Sequence, residues 1–158
     1  MSNESTYPQC LSLIRFHEML QDGTLGAKEV QSLLMDRRIH GEYVALRQCD
    51  AAFQDMVALG AQKKRGGVHQ HQHAAQNENI PEGMTPEEAK YITYVHCAST
   101  ALCPSSVREW YACLEDVREG KRPVEDCKAV KSMLERCLRA ETDHLFRASQ
   151  GHVFRSSS

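Results

Sequence analysis

The strongest constraint on how this chain folds is a set of four cysteines, Cys103, Cys113, Cys127 and Cys137. Nine residues separate the first two, thirteen separate the middle two, and nine separate the last two. A ten-residue step is seven plus three, so on a helix both cysteines of a pair fall on one stripe, about 15 Å apart along the axis. Two antiparallel helices with equal spacing then match rung for rung. That geometry pairs Cys103 with Cys137 as an outer rung, and Cys113 with Cys127 as an inner rung closing the turn EDVREGKRPVED. Val107, Trp110, Val130 and Leu134 share the stripe and fill the seam. Such a hairpin buries little area, and disulfides supply what its core lacks, roughly 2–4 kcal/mol each. Two other readings stay open at this level. Four thiolates could bind zinc, although paired zinc ligands are usually only about two to four residues apart. The placement could also be accidental.

The remaining sequence reads as helix with one interruption. Residues 1–59 form an N-terminal helical region of three short helices. The first starts near Pro8, places Leu11, Ile14, Met19 and Leu20 on a face, and breaks at Asp22-Gly23-Thr24. The second covers about 27–39 and carries Val30, Leu33 and Leu34. The third runs from Gly41 to about residue 59, carries Val44, Ala52, Met56 and Leu59, and takes Gly60 as its stop. Residues 60–83, GAQKKRGGVHQHQHAAQNENIPEG, nearly lose their apolar side chains and read as a flexible linker rich in Gly, Gln and His. Residues 84–102 form a connecting helix with Thr85 as N-cap, Pro86 at its first position and Glu88 completing a capping box. It carries Tyr91, Ile92, Val95, Ala98 and Leu102 and ends before Pro104. The hairpin occupies 103–147: Pro104 opens its first helix, Gly120 closes it, and Pro123 opens the second. Residues 148–158 are a polar tail. The expected fold class is therefore all-α, a disulfide-stapled antiparallel hairpin preceded by further helices and a polar linker.

Several function classes fall away. No run of 18 apolar residues exists to span a bilayer as a helix. The net charge is −2. Residues 1–59 carry eight acids and five bases, net −3, and residues 84–158 carry eleven of each. Neither half offers a nucleic-acid footprint by composition. The N-terminal stretch lacks the basic and apolar regions of a secretory signal. With Glu4 and Glu18 against Arg15, it also lacks the Arg-rich, acid-poor character of a mitochondrial presequence. No nucleophile–base–acid set, Gly-rich phosphate loop or catalytic metal motif occurs, so no enzymatic activity is expected.

Residues 103–137, about a quarter of the chain, resemble the twin Cys-x9-Cys family, also called coiled-coil-helix-coiled-coil-helix (CHCH) proteins. The resemblance rests on the cysteine array alone. It implies an oxidised helical hairpin in the mitochondrial intermembrane space, or peripheral on that face of the inner membrane. It also implies import without a presequence, through an oxidative receptor that forms a transient mixed disulfide. The family's import signal sets an aromatic or large apolar residue near the docking cysteine. By that pattern Cys113 is the docking residue, with Trp110 three before it and Val117 four after it. The implied function is that of a structural accessory subunit of an inner-membrane complex, either a respiratory-chain complex or the ATP synthase. Its partners would be neighbouring subunits, with no cofactor and no nucleic acid. Two alternatives are a soluble assembly factor or metallochaperone for cytochrome oxidase, and a mitochondrial ribosomal protein. Copper chaperones of the family carry adjacent cysteines just before the array. Here His96-Cys97 and then Leu102-Cys103 stand instead, a departure that disfavours copper transfer.

Three of the seven cysteines remain, Cys10, Cys49 and Cys97. Their odd number leaves at least one free or paired with another chain. Cys10 and Cys49 lie on predicted helical faces and could pair, or either could be an inert buried thiol. His69, His71 and His73 alternate in the linker and are weak metal candidates with nothing evident to orient their rings. Asp22-Gly23-Thr24-Leu25 with Glu29 resembles half an EF-hand loop. Counting back puts Glu18 first, but Leu20 third, where it cannot coordinate. Lys63-Lys64-Arg65 is too short a basic run to indicate lipid or RNA.

Overall fold

A computed structural model describes residues 7–64 and 84–150. Over these residues the chain is all α, with seven helices and one 3-10 turn. Helix α1 is Leu11–Gln21, α2 is Ala27–Met35, α3 is His40–Arg47 and α4 is Asp50–Lys64. Helix α5 is Pro86–Leu102, α6 is Pro104–Arg118 and α7 is Lys128–Ser149, with the 3-10 turn at Val124–Cys127.

The N-terminal half has four helices where the sequence suggests three. Helix α2 stops at Met35 because the Asp36 carboxylate accepts the N–H groups of Arg38 and Ile39, at 3.0 and 3.1 Å. This turn redirects the chain into α3. A second break at Gln48 and Cys49 divides the predicted third helix, and Arg47 bridges it with an ion pair to Asp50 at 2.9 Å. Gly60 does not stop α4, which continues to Lys64 and takes up the first residues of the predicted linker. A glycine ends a helix by adopting positive φ, and among the described residues only Gly23 and Gly120 do so. Helix α7 likewise extends to Ser149, into the predicted tail.

Of the face expected for α1, Leu20 is buried and Ile14 and Met19 pack against the core. Leu13, Phe16, His17 and Leu20 are buried, whereas Leu11 stands in solvent. In α2, Leu33 is buried and Leu34 exposed. Helix α5 begins as its sequence dictates. Thr85 Oγ1 accepts the Glu88 N–H at 3.1 Å, and Glu88 Oε1 accepts the Thr85 N–H at 2.9 Å.

All seven helices contribute to one continuous apolar core. Helices α6 and α7 pack as an antiparallel pair joined by the 3-10 turn. At 22 residues, α7 is seven residues longer than the 15-residue α6. Its overhang beyond the Cys103–Cys137 rung carries buried Leu138, Thr142, Leu145 and Ser149. Helices α1 and α2 pack against α7, and α3 and α4 pack against α5. On the overhang, Phe16 meets Phe146 edge to face with ring centroids 4.9 Å apart. Leu134, Leu138 and Leu145 are fully buried along α7, each contributing about 1.5–3 kcal/mol of burial.

Candidate functional site

The chemistry of the described residues is concentrated in their cysteines and in the polar groups buried beside them. In the hairpin, Cys103 is joined to Cys137 and Cys113 to Cys127, with Cα separations of 6.3 and 5.8 Å. Cys103 caps the end of α5, and Pro104 restarts the chain as α6. Cys127 ends the 3-10 turn just before α7. Val107, Trp110 and Leu134 are buried between the rungs, and Val130 packs at their edge. Trp110 and Cys113 are 5% and 3% exposed, and Val117 packs against the same core. Arg122 Nη1 lies 3.4 Å from Cys113 Sγ and donates to it, while its other terminal nitrogen pairs with Asp116 at 3.2 Å.

A third disulfide joins Cys49, at the break between α3 and α4, to Cys97 in α5, with Cα atoms 5.8 Å apart. The suggested Cys10–Cys49 bridge is thereby excluded. Cys10 is free and buried. Its Sγ lies 3.9 Å from Tyr91 Oη, which donates to the Pro8 carbonyl at 2.7 Å. Burial pushes the Cys10 thiol up to about 11, so it is protonated and unreactive at neutral pH.

Beside the third disulfide runs a polar chain that sequence reasoning missed. His17 is fully buried and stacks on Phe53 with ring centroids 4.6 Å apart. Burial holds its pKa below the ordinary value, despite the upward pull of its Asp50 hydrogen bond. The neutral ring therefore donates from Nε2 to Asp50 Oδ1 at 2.7 Å and accepts at Nδ1 from Tyr94 Oη at 2.9 Å. Arg47 donates to the other Asp50 oxygen at 2.9 Å and to Tyr43 Oη at 3.0 Å. The order of groups resembles a general-base relay, but His17 and Tyr94 are both sealed from solvent. The chain acts as a strut linking α1, α3, α4 and α5, with its buried polar atoms satisfied.

Two carboxyls meet between α3 and α7. Burial, with the neighbouring Glu141 carboxyl, pushes Glu42 up to about 8. His144 Nδ1 lies 3.6 Å from Glu141 Oε1.

The other sequence candidates are placed as follows. His69, His71, His73 and Arg65 lie outside the described residues. Asp22 Oδ1 accepts the Thr24 N–H at 2.8 Å, and Glu29 Oε1 accepts the Gly26 N–H at 2.9 Å. Both carboxylates thus serve backbone groups of a helix–turn–helix. Among the described residues, no three His, Cys, Asp or Glu side chains are arranged to hold a metal ion. No described helix is long and apolar enough to cross a membrane. Comparisons with protein-family models, curated proteins and solved structures gave no match for this chain.

Proposed function

We propose that this chain is a twin Cys-x9-Cys protein acting as a structural accessory subunit. Its place would be the intermembrane-space face of a mitochondrial inner-membrane complex, either of the respiratory chain or the ATP synthase. The observation that carries this reading is the doubly stapled antiparallel hairpin, Cys103–Cys137 outside Cys113–Cys127. A third disulfide bonds two more cysteines into the same core, which suits an oxidising compartment. The buried polar groups act on the fold itself: His17, Asp50 and Tyr94 bind one another and expose no reactive pair. The metallochaperone alternative loses its nearest additional thiol, because Cys97 is held by Cys49. Apolar residues left in solvent, among them Leu11, Met35 and Met133, are available to neighbouring subunits.

Sedimentation of a mild-detergent extract of mitochondria tests the proposal. Comigration with a respiratory complex or the ATP synthase is expected. Comigration with ribosomes, or recovery only as a small free species, overturns it.

A further inference from the structure

A cavity of about 160 Å³ lies between α5, α6 and α7, where Val95, Trp110 and Leu134 are among its walls. Tyr7 and Pro8, from the segment that precedes α1, complete the lining. Residues 7–9 belong to no helix, yet they are tied to the helices on either side. Tyr91 Oη on α5 donates to the Pro8 carbonyl at 2.7 Å, and the Gln9 N–H donates to Glu135 Oε2 on α7 at 2.8 Å. Gln9 Nε2 closes a bond within the segment, to the Tyr7 carbonyl at 3.2 Å. Cys10 is the fixed end. It is 2% exposed, and its carbonyl accepts the Ile14 N–H at 3.0 Å as α1 begins. Residues 7–9 thus form a strap from α5 to α7 along one side of the cavity.

The cavity decides how firmly the strap is held. Where Tyr7 and Pro8 face it, they meet open space instead of packed neighbours. They forgo part of the dispersion attraction that fixes a core residue. The Gln9–Glu135 bond is exposed, and Gln9 itself stands in solvent. Segments with exposed backbone bonds and little apolar burial behind them open at low cost. The helices under the strap are held differently. Cys103–Cys137 and Cys113–Cys127 fix α6 and α7 to each other, and Cys49–Cys97 fixes α5 to the break before α4.

We infer that residues 7–9 are a lid that lifts about Cys10 while the helices stay folded, and that this lid controls solvent access to the cavity and to the Trp110 ring. Closed, it leaves Trp110 5% exposed. Lifting breaks the Pro8 and Gln9 bonds together, because the two residues are adjacent. It also bares the side of the cavity that Tyr7 and Pro8 wall, so water reaches the indole without any helix moving. Tyr91 and Glu135 are the latches, one on each side of the opening.

Hydrogen exchange of the oxidised full-length protein, read by NMR, tests this. The Gln9 amide reports the strap, the Trp110 indole N–H reports the cavity wall, and the Leu138 amide reports the buried face of α7. Trp110 is the only tryptophan in the chain, so its indole signal is unambiguous. After correction for intrinsic rates, Gln9 and Trp110 should share one opening constant, at least about a hundredfold larger than that of Leu138. Low concentrations of guanidinium should barely change their exchange, because the opening exposes little surface, whereas Leu138 should respond steeply. Tyr91→Phe keeps the ring and removes the bond to Pro8. It should speed Gln9 and Trp110 by the same factor, about fivefold, with their insensitivity to guanidinium retained. Trp110 exchange that follows Leu138 overturns the inference. So does fast Trp110 exchange that Tyr91→Phe leaves unchanged, or Gln9 protection as deep as that of Leu138.

Discussion

Glu42 and His17 place opposite pH dependences in one small core. Glu42 holds its proton up to about pH 8 when folded, whereas an ordinary glutamate ionises near 4.5. The folded state therefore binds the extra proton across that window, and stability falls as pH rises through it. His17 works in the other direction. Its folded pKa lies below 6.5, so stability is lost as pH falls through that value and the unfolded chain takes up a proton. Replacing Glu42 with Gln removes the first effect and leaves the second. The variant should melt above the wild type at pH 8, and its advantage should shrink towards about pH 5. Melting curves that shift in parallel at both pH values would rule this out. Neither residue was legible in the sequence. The partners of His17 lie 33 and 77 positions away, so their approach depends on tertiary packing. The ladder cysteines were legible because a ten-residue step is a local property of a helix.

Among the elements, the break between α3 and α4 and the bond it carries deserve a direct test. Cys49–Cys97 ties α4 to α5 across a sequence separation of 48, the longest closed by any of the three disulfides. Removing both sulfurs as Cys49→Ser with Cys97→Ser should lower the unfolding free energy by about 2–4 kcal/mol in denaturant titrations. The ladder should survive, because its two bonds lie wholly within α6, α7 and the residues flanking them. Full loss of helical circular dichroism in the double variant would contradict that separation. Helix α5 was readable from end to end, since Thr85, Pro86 and Glu88 start it and Pro104 ends it through local backbone chemistry. The break at Gln48 and Cys49 has no glycine or proline to mark it. It is held by Asp50, which receives both His17 and Arg47, and by the disulfide itself.

For the molecule as a whole, the single core constrains how the chain could be handled before it folds. Cys113 and Trp110 are buried in the finished structure, so an oxidative receptor could reach them only while α6 is still unpacked. Under the proposed function, Cys113→Ser should abolish mitochondrial accumulation more severely than Cys137→Ser. Import assays with isolated mitochondria measure this directly, and equal import of the two variants would remove Cys113 from the docking role. The composition and the ladder made an all-α molecule readable. The union of both halves was not, because α1 and α2 pack against α7, a helix far from them in the sequence.

The order of the three disulfides along the chain has a topological consequence. Cys113–Cys127 is nested inside Cys103–Cys137, and Cys49–Cys97 closes entirely before either begins. The crosslinks never interleave, so the oxidised chain is one covalent ring followed by a separate nested ladder. One peptide bond cut anywhere between residues 49 and 97 opens that ring without releasing a fragment. The product is a two-chain protein that comes apart under denaturing conditions only after reduction.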